Sequence, residues 1–247
     1  MSDSLAITLH ATAEEVASGS GAAVDLWGTE GVELRRFVRL VLVVSAMAGT
    51  SVEVAIETSP DEATWRSLGA FPVTVEAGKR ELLVGDCDRY VRASWVVDAA
   101  ATFALTGTAE STYCSLAELE AQGPAAKVLA GVAQEKRIEA LLAASRTAHS
   151  RVVRRHKPPI LTVGPDVAKA VAYLAAVDLM TTDVGFNPNA AHHVLLVNER
   201  DRQDRWLREL AAGTAVGDIR DSTPETREGT GAVATGESRG WGEMGIW

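Results

Sequence analysis

Apolar residues in this chain change their spacing near residue 110, from every second position to every third or fourth. Side chains alternate across a strand and recur every 3.6 residues around a helix, so no single regular architecture satisfies both halves. In the first half Val52-Glu53-Val54-Ala55-Ile56-Glu57 alternates strictly, which puts Val52, Val54 and Ile56 on one face of a strand. Phe37 to Val44 is a nearly continuous branched run, as in a strand buried on both faces. Leu5 to Leu9, Tyr90 to Val96 and Ala101 to Thr108 read as further strands, and turn signals stand between them at Ala48-Gly49-Thr50, Ser59-Pro60-Asp61, Ala77-Gly78-Lys79 and Gly85-Asp86. About eight short strands at roughly ten-residue spacing predict an antiparallel sandwich or jelly roll.

The second half predicts four helices. Ser115 is a candidate N-cap with Glu118 at the capping-box position, and Leu116 and Leu119 give this short helix its buried face before Gly123-Pro124 ends it. A long helix follows over 134–156, with Ile138, Leu141, Leu142, Ser145, Ala148, Val152 and Val153 at three- and four-residue steps. Lys157-Pro158-Pro159 stops it. Pro165 opens a third helix striped by Val167, Val171, Leu174, Ala175 and Leu179, which Gly185 and Asn187-Pro188 close. A fourth, over 190–212, carries Val194, Leu195, Val197, Trp206, Leu207 and Leu210, with Gly213 behind it. The expected class is thus α+β as separate domains: a β-sandwich over 1–110, a four-helix domain over 111–213, and an extended arm over 214–247.

The arm is rich in Gly, Thr, Ser, Glu and Ala and has no period. Such a segment does not bury enough surface to fold alone. It nevertheless ends Arg239-Gly240-Trp241-Gly242-Glu243-Met244-Gly245-Ile246-Trp247. Leaving large apolar side chains in water costs roughly 1.5–3 kcal/mol each, so these residues read as anchors for a partner.

Charge narrows the function classes. The net formal charge is −9, and residues 1–109 hold 8 basic residues against 15 acidic ones, so the deficit lies mainly in the β half. That argues against a protein that coats nucleic acid all over, but leaves room for a local basic patch. The 134–157 stretch supplies one: seven basic residues face two acidic ones, with Arg151, Arg154, Arg155 and Lys157 clustered at its end. Two accounts stand side by side. The cluster answers the helix dipole and is solvated, or it faces phosphates or a partner's acidic surface.

No apolar run approaches the ~20 residues needed to span a bilayer, and Met1-Ser2-Asp3-Ser4 is too polar for a secretory signal. Cys87 and Cys114 lie far apart without metal spacing and read as reduced structural thiols. The adjacent His192-His193 points two rings about 100° apart on a helix, which does not clamp one metal. Neither a Gly-x-Ser-x-Gly elbow nor a phosphate loop is present, since Gly19-Ser20-Gly21 lacks the following helix and lysine. No enzyme and no cofactor are expected. Trp65, Tyr90 and Trp95 offer either a sugar-stacking platform or core aromatics.

The order of helices, with Ala143-Ala144-Ser145, Val152-Val153-Arg154-Arg155-His156, Pro158-Pro159, Ala170-Val171-Ala172-Tyr173-Leu174-Ala175, Arg205-Trp206-Leu207 and a tail ending Ser238-Arg239-Gly240-Trp241, resembles the head–tail connector (adaptor) proteins of tailed bacteriophages and gene transfer agents. The resemblance covers about 115–247. The first half is similar to β-sandwich segments of some phage structural proteins, which ordinary connectors lack. The resemblance implies a virion neck protein made in the host cytoplasm. It would form a ring with itself, usually of twelve copies, under the portal protein, extend the DNA channel with non-specific contact to packaged DNA, and meet a stopper or tail-terminator protein. Arg239, Gly240, Trp241, Ile246 and Trp247 would dock on the portal. Arg151, Arg154, Arg155 and Lys157 would face the channel or a partner. The other expectation is a carbohydrate- or surface-binding sandwich with a helical oligomerisation domain.

Overall fold

The computed structural model describes residues 4–28 and 32–223, with Arg35, Gly123 and Pro124 described by their backbone alone. Among the described residues the fold is mixed α+β: antiparallel sheets followed by five helices. The strands are β1 (Ser4–Glu15), β2 (Gly19–Ser20), β3 (Val24–Asp25), β4 (Arg35–Met47), β5 (Val52–Ser59), β6 (Arg66–Ala70), β7 (Gly78–Cys87), β8 (Tyr90–Val97) and β9 (Ala101–Thr112). One sheet has the order β1-β9-β4-β7; the other has β2-β8-β5-β6, with β3 also on β8.

The two sheets face each other because each strand has one apolar face. Val38, Leu40, Leu42 and Val44 of β4 meet Val52, Val54 and Ile56 of β5 and Val91, Ala93 and Trp95 of β8 in a single buried cluster. The strict alternation in β5 is realised with those three residues at 0–1% exposure. β6 and β7 carry weaker alternation, and the cross-strand ladder rather than local pattern defines them.

The helices are α1 (Leu116–Ala121), α2 (Gly123–Leu129), α3 (Gln134–Val152), α4 (Pro165–Leu179) and α5 (Ala191–Ala212), with one π-helical turn over Met180–Val184 after α4. Ser115 caps α1 in a full capping box with Glu118. Five helices replace the four expected, because Gly123-Pro124 does not merely end α1. Proline sits in the first turn of α2, where its missing N–H has no intrahelical partner to lose. Gly213 ends α5 in a left-handed conformation, φ +79°, which a side chain would strain.

Two further findings alter the expected division. Phe37 and Leu83 point outward from the first sheet and lie in the same buried cluster as Leu119, Ile138, Leu141 and Val171 of the helices. The helical half thus does not close its core by itself. Gly85 permits this seam, since a Cβ there would lie 2.8 Å from the Phe37 ring and 3.1 Å from Leu116. Polar contacts follow the same seam: Thr112 Oγ1 to Ser145 Oγ at 2.8 Å, Tyr113 Oη to His149 Nδ1 at 2.6 Å, and Arg146 with Glu110. In addition, loss of period after Gly213 does not end ordered packing. β11 (Ile219–Asp221) pairs with β10 (Ile160–Val163), and Gly164 N–H donates to the Asp218 carbonyl at 2.6 Å.

Candidate functional site

α3 and α5 end side by side, and the basic cluster sits there. Both helices expose their last carbonyls at this end, so cations are drawn to it. Arg151 is no free cation: its guanidinium meets Asp204 Oδ1 at 2.5 Å, with the two side chains only 19% and 11% exposed. Asp204 also receives exposed Arg208 at 2.6 Å. Burial works to raise the Asp204 carboxyl, but the hydrogen bond and charge of Arg151, joined by Arg208, hold it below the usual carboxylate range. Arg154, Arg155 and Lys157 are exposed, and the Arg155 guanidinium reaches across Gly213 at the end of α5.

A cleft of about 360 Å³ runs between these ends, lined by Ser150, Arg151, Arg154 and Arg208. Arg208 is the member that sequence reasoning missed; its signal was the Asp204/Arg208 spacing of one helical turn. Hydrogen bonds from Thr223, joined by the Lys157 N–H that donates to Asp221 Oδ2 at 2.9 Å, lower Asp221 to about 2.

Along the same helices lies a larger groove of about 620 Å³. α3 and α5 form its walls and α4 its floor. Small side chains on α3, Ala140, Ala143 and Ala144, keep it open over Leu174 and Val177. Arg151 and Asp204 close one end, and Phe186 stands at its border. Phe186 is 48% exposed, which extends the apolar surface at that border. Pattern reading does not find this groove, because alanines count as core-facing whether or not anything covers them.

The aromatic platform is not assembled. Trp95 points into the sandwich at 7% exposure, edge-on to Phe103 with ring centres 5.7 Å apart. Trp65 lies under Arg92 at 4.0 Å and Tyr90 under Arg89 at 4.9 Å, so a guanidinium takes one face of each ring. Those arginines are held by Glu57 and Asp25 at 2.8 Å. His193 is buried and accepts the Asn187 N–H at Nδ1, 3.0 Å, which fixes the turn into α5. Among the described residues no three His, Cys, Asp or Glu side chains gather as a metal site, and no helix is long and apolar enough to cross a membrane. Cys87 and Cys114 are buried and unbridged, and burial pushes the Cys87 thiol up to about 12, which removes its nucleophilic form at neutral pH. Arg239, Gly240, Trp241, Ile246 and Trp247 lie outside the described residues.

No family model matches the chain, and no curated protein matches it. Solved structures show partial likeness. A Bacillus endospore appendage pilus protein aligns with 44% of this chain and 84% of its own at 14% identity, TM-score 0.30. The PBSX exported protein XepA aligns with 43% of this chain and 36% of its own at 16% identity, TM-score 0.31. The infectious bursal disease virus Gx strain structure aligns with 44% and 34% at 8% identity, TM-score 0.33. The chain therefore spans about a third of the length of the latter two. Likeness at this level carries no argument about function.

Proposed function

We propose that the chain is a structural head–tail connector of a tailed phage virion. It forms a ring under the portal, extends the DNA channel, and docks its C-terminal arm on the portal protein. The observation that carries the reading is the exit of the chain. Thr223 leaves the β10–β11 ladder next to the exposed Lys157, and the 24 residues that follow close on Trp241, Ile246 and Trp247. A polar arm with apolar anchors suits capture by a larger assembly, where many weak arms act together.

Arg154, Arg155, Lys157 and Arg208 are the residues through which a bore would meet phosphates, or through which the body would meet an acidic partner. The sandwich is a jelly roll on this reading, supported by the way the long strands β4, β5, β7, β8 and β9 alternate between the two sheets and β1 lies beside β9. The glycan-binding alternative is disfavoured, since Trp95 is inward and arginines cover Trp65 and Tyr90. Deletion of residues 236–247 tests the reading. The expected product is folded protein that no longer joins capsids to tails. Capsids that acquire tails at normal yield would overturn the docking role.

A further inference from the structure

The arm and the α3–α5 groove have matching chemistry. The groove has an apolar floor, Leu174 and Val177, an alanine wall on α3, a wall of Val197, Arg200 and Asp204 on α5, and about 620 Å³ of space, within the range of roughly 300–1,000 Å³ that holds a ligand. Asp178 stands exposed on its lining, with no cation paired to it among the described residues. Residues 239–247 offer large apolar side chains, Trp241, Met244, Ile246 and Trp247, with one cation, Arg239, and one carboxylate, Glu243.

Geometry allows the two to meet within one subunit. Ser222 is fastened to the Pro159 carbonyl at 3.1 Å, just past the end of α3. From Thr223, sixteen residues lead to Arg239, a reach of up to about 53 Å. The groove runs along α3 only from Ala140 to Arg151, about 16 Å. Gly242 and Gly245 let the backbone turn, so both tryptophans fit within that length.

We propose that the α3–α5 groove is the seat of the chain's own residues 239–247 before assembly, with Trp241 and Trp247 in the cleft and Arg239 facing Asp178. This rests on reading the arm as the docking element. The groove shields the anchors in the free subunit and yields them to the portal when the ring forms.

Limited trypsin digestion of the full chain tests this, with cleavage after Arg239 scored against cleavage after Arg227 by mass spectrometry. Cleavage follows the population of the open form. The seated segment is expected to be cut at Arg239 about tenfold more slowly than in the variant Ala143→Arg, which fills the groove from an exposed position on α3. Ala143→Ser, which leaves the space open, keeps the protection. The protection does not change with protein concentration. Equal rates in the native chain and Ala143→Arg overturn the proposal. Protection that grows with concentration overturns it too, since the occupant is then a second copy. The portal reading fails separately: protection at Arg239 together with normal tail joining by the 236–247 deletion leaves the seat standing and removes the portal.

Discussion

The sandwich and the helical half solve the burial problem differently. In the sandwich, each strand turns branched aliphatics and aromatics toward the opposite sheet, and Leu40, Leu42, Ile56, Phe103 and Leu105 reach 0% exposure. In the helical half, α3 and α4 pack through alanines: Ala140, Ala144, Ala148, Ala168, Ala170, Ala172, Ala175 and Ala176 are all buried. Small side chains bring helices close but fill little volume. The helices therefore borrow Phe37 and Leu83 from the sheet on one side and leave a groove on the other. A closed body is suited to hold its shape. A body completed by neighbours is suited to bind them.

Truncation at the two kinds of core is the strongest way to break that comparison. Phe103→Ala empties the middle of the sandwich and is expected to cost about 3–5 kcal/mol in denaturant unfolding. Ala143→Arg, in the groove wall, should cost no more than about 1.4 kcal/mol, the tenfold seating of the arm that it displaces, because Ala143 is exposed among the described residues. If both cost the same, the groove is not an open surface.

Next in size is the ion pair between α3 and α5. Arg151→Ala leaves a largely buried Asp204 carboxylate without its inner partner and should cost about 1.5–3 kcal/mol. Arg208→Ala removes only the exposed partner and should cost about 0–1 kcal/mol. Equal losses in a thermal or chemical melt would show that the two arginines are interchangeable.

At the junction, Ser115→Ala removes the capping box that starts the helical half, with about 1 kcal/mol expected. The smallest effect is local and depends on pH. The folded-state pKa of Asp221 lies at about 2, below the ordinary ~3.9 of an unfolded aspartate. Its support for the β10–β11 ladder is therefore fully present above about pH 4 and is lost as pH falls through 2. Amide exchange at Lys157 and Thr223 should rise across that window, and Asp221→Asn should make exchange there insensitive to pH after correction for its intrinsic rate.

Much of the fold was legible where periodicity is long and unambiguous. Val52, Val54 and Ile56 fell on one face, Ser115 and Glu118 formed their box, and α3, α4 and α5 begin within a residue of their signals at Gln134, Pro165 and 190. What failed did so for physical reasons. Gly123-Pro124 carries both a stop and a start signal, and only packing of α2 against its neighbours decides that it also begins a helix. β6 and β11 are too short for a pattern and exist through their ladder partners. Phe37 looked like any residue of a two-sided strand, and nothing local says that its outer neighbour is a helix. At the site, the basic residues were legible as a cluster, but the sequence did not show that Arg151 is spent on Asp204 while Arg208, fifty-odd positions on, stands beside Arg154.

The central claim is that another polypeptide covers the apolar end of the arm in the assembled particle. A cryo-EM map of the native neck tests it most directly. The account predicts Trp241, Ile246 and Trp247 packed against the portal protein, with the α3–α5 groove of their own subunit vacated. Those side chains standing in solvent, or still seated in their own subunit, would contradict it.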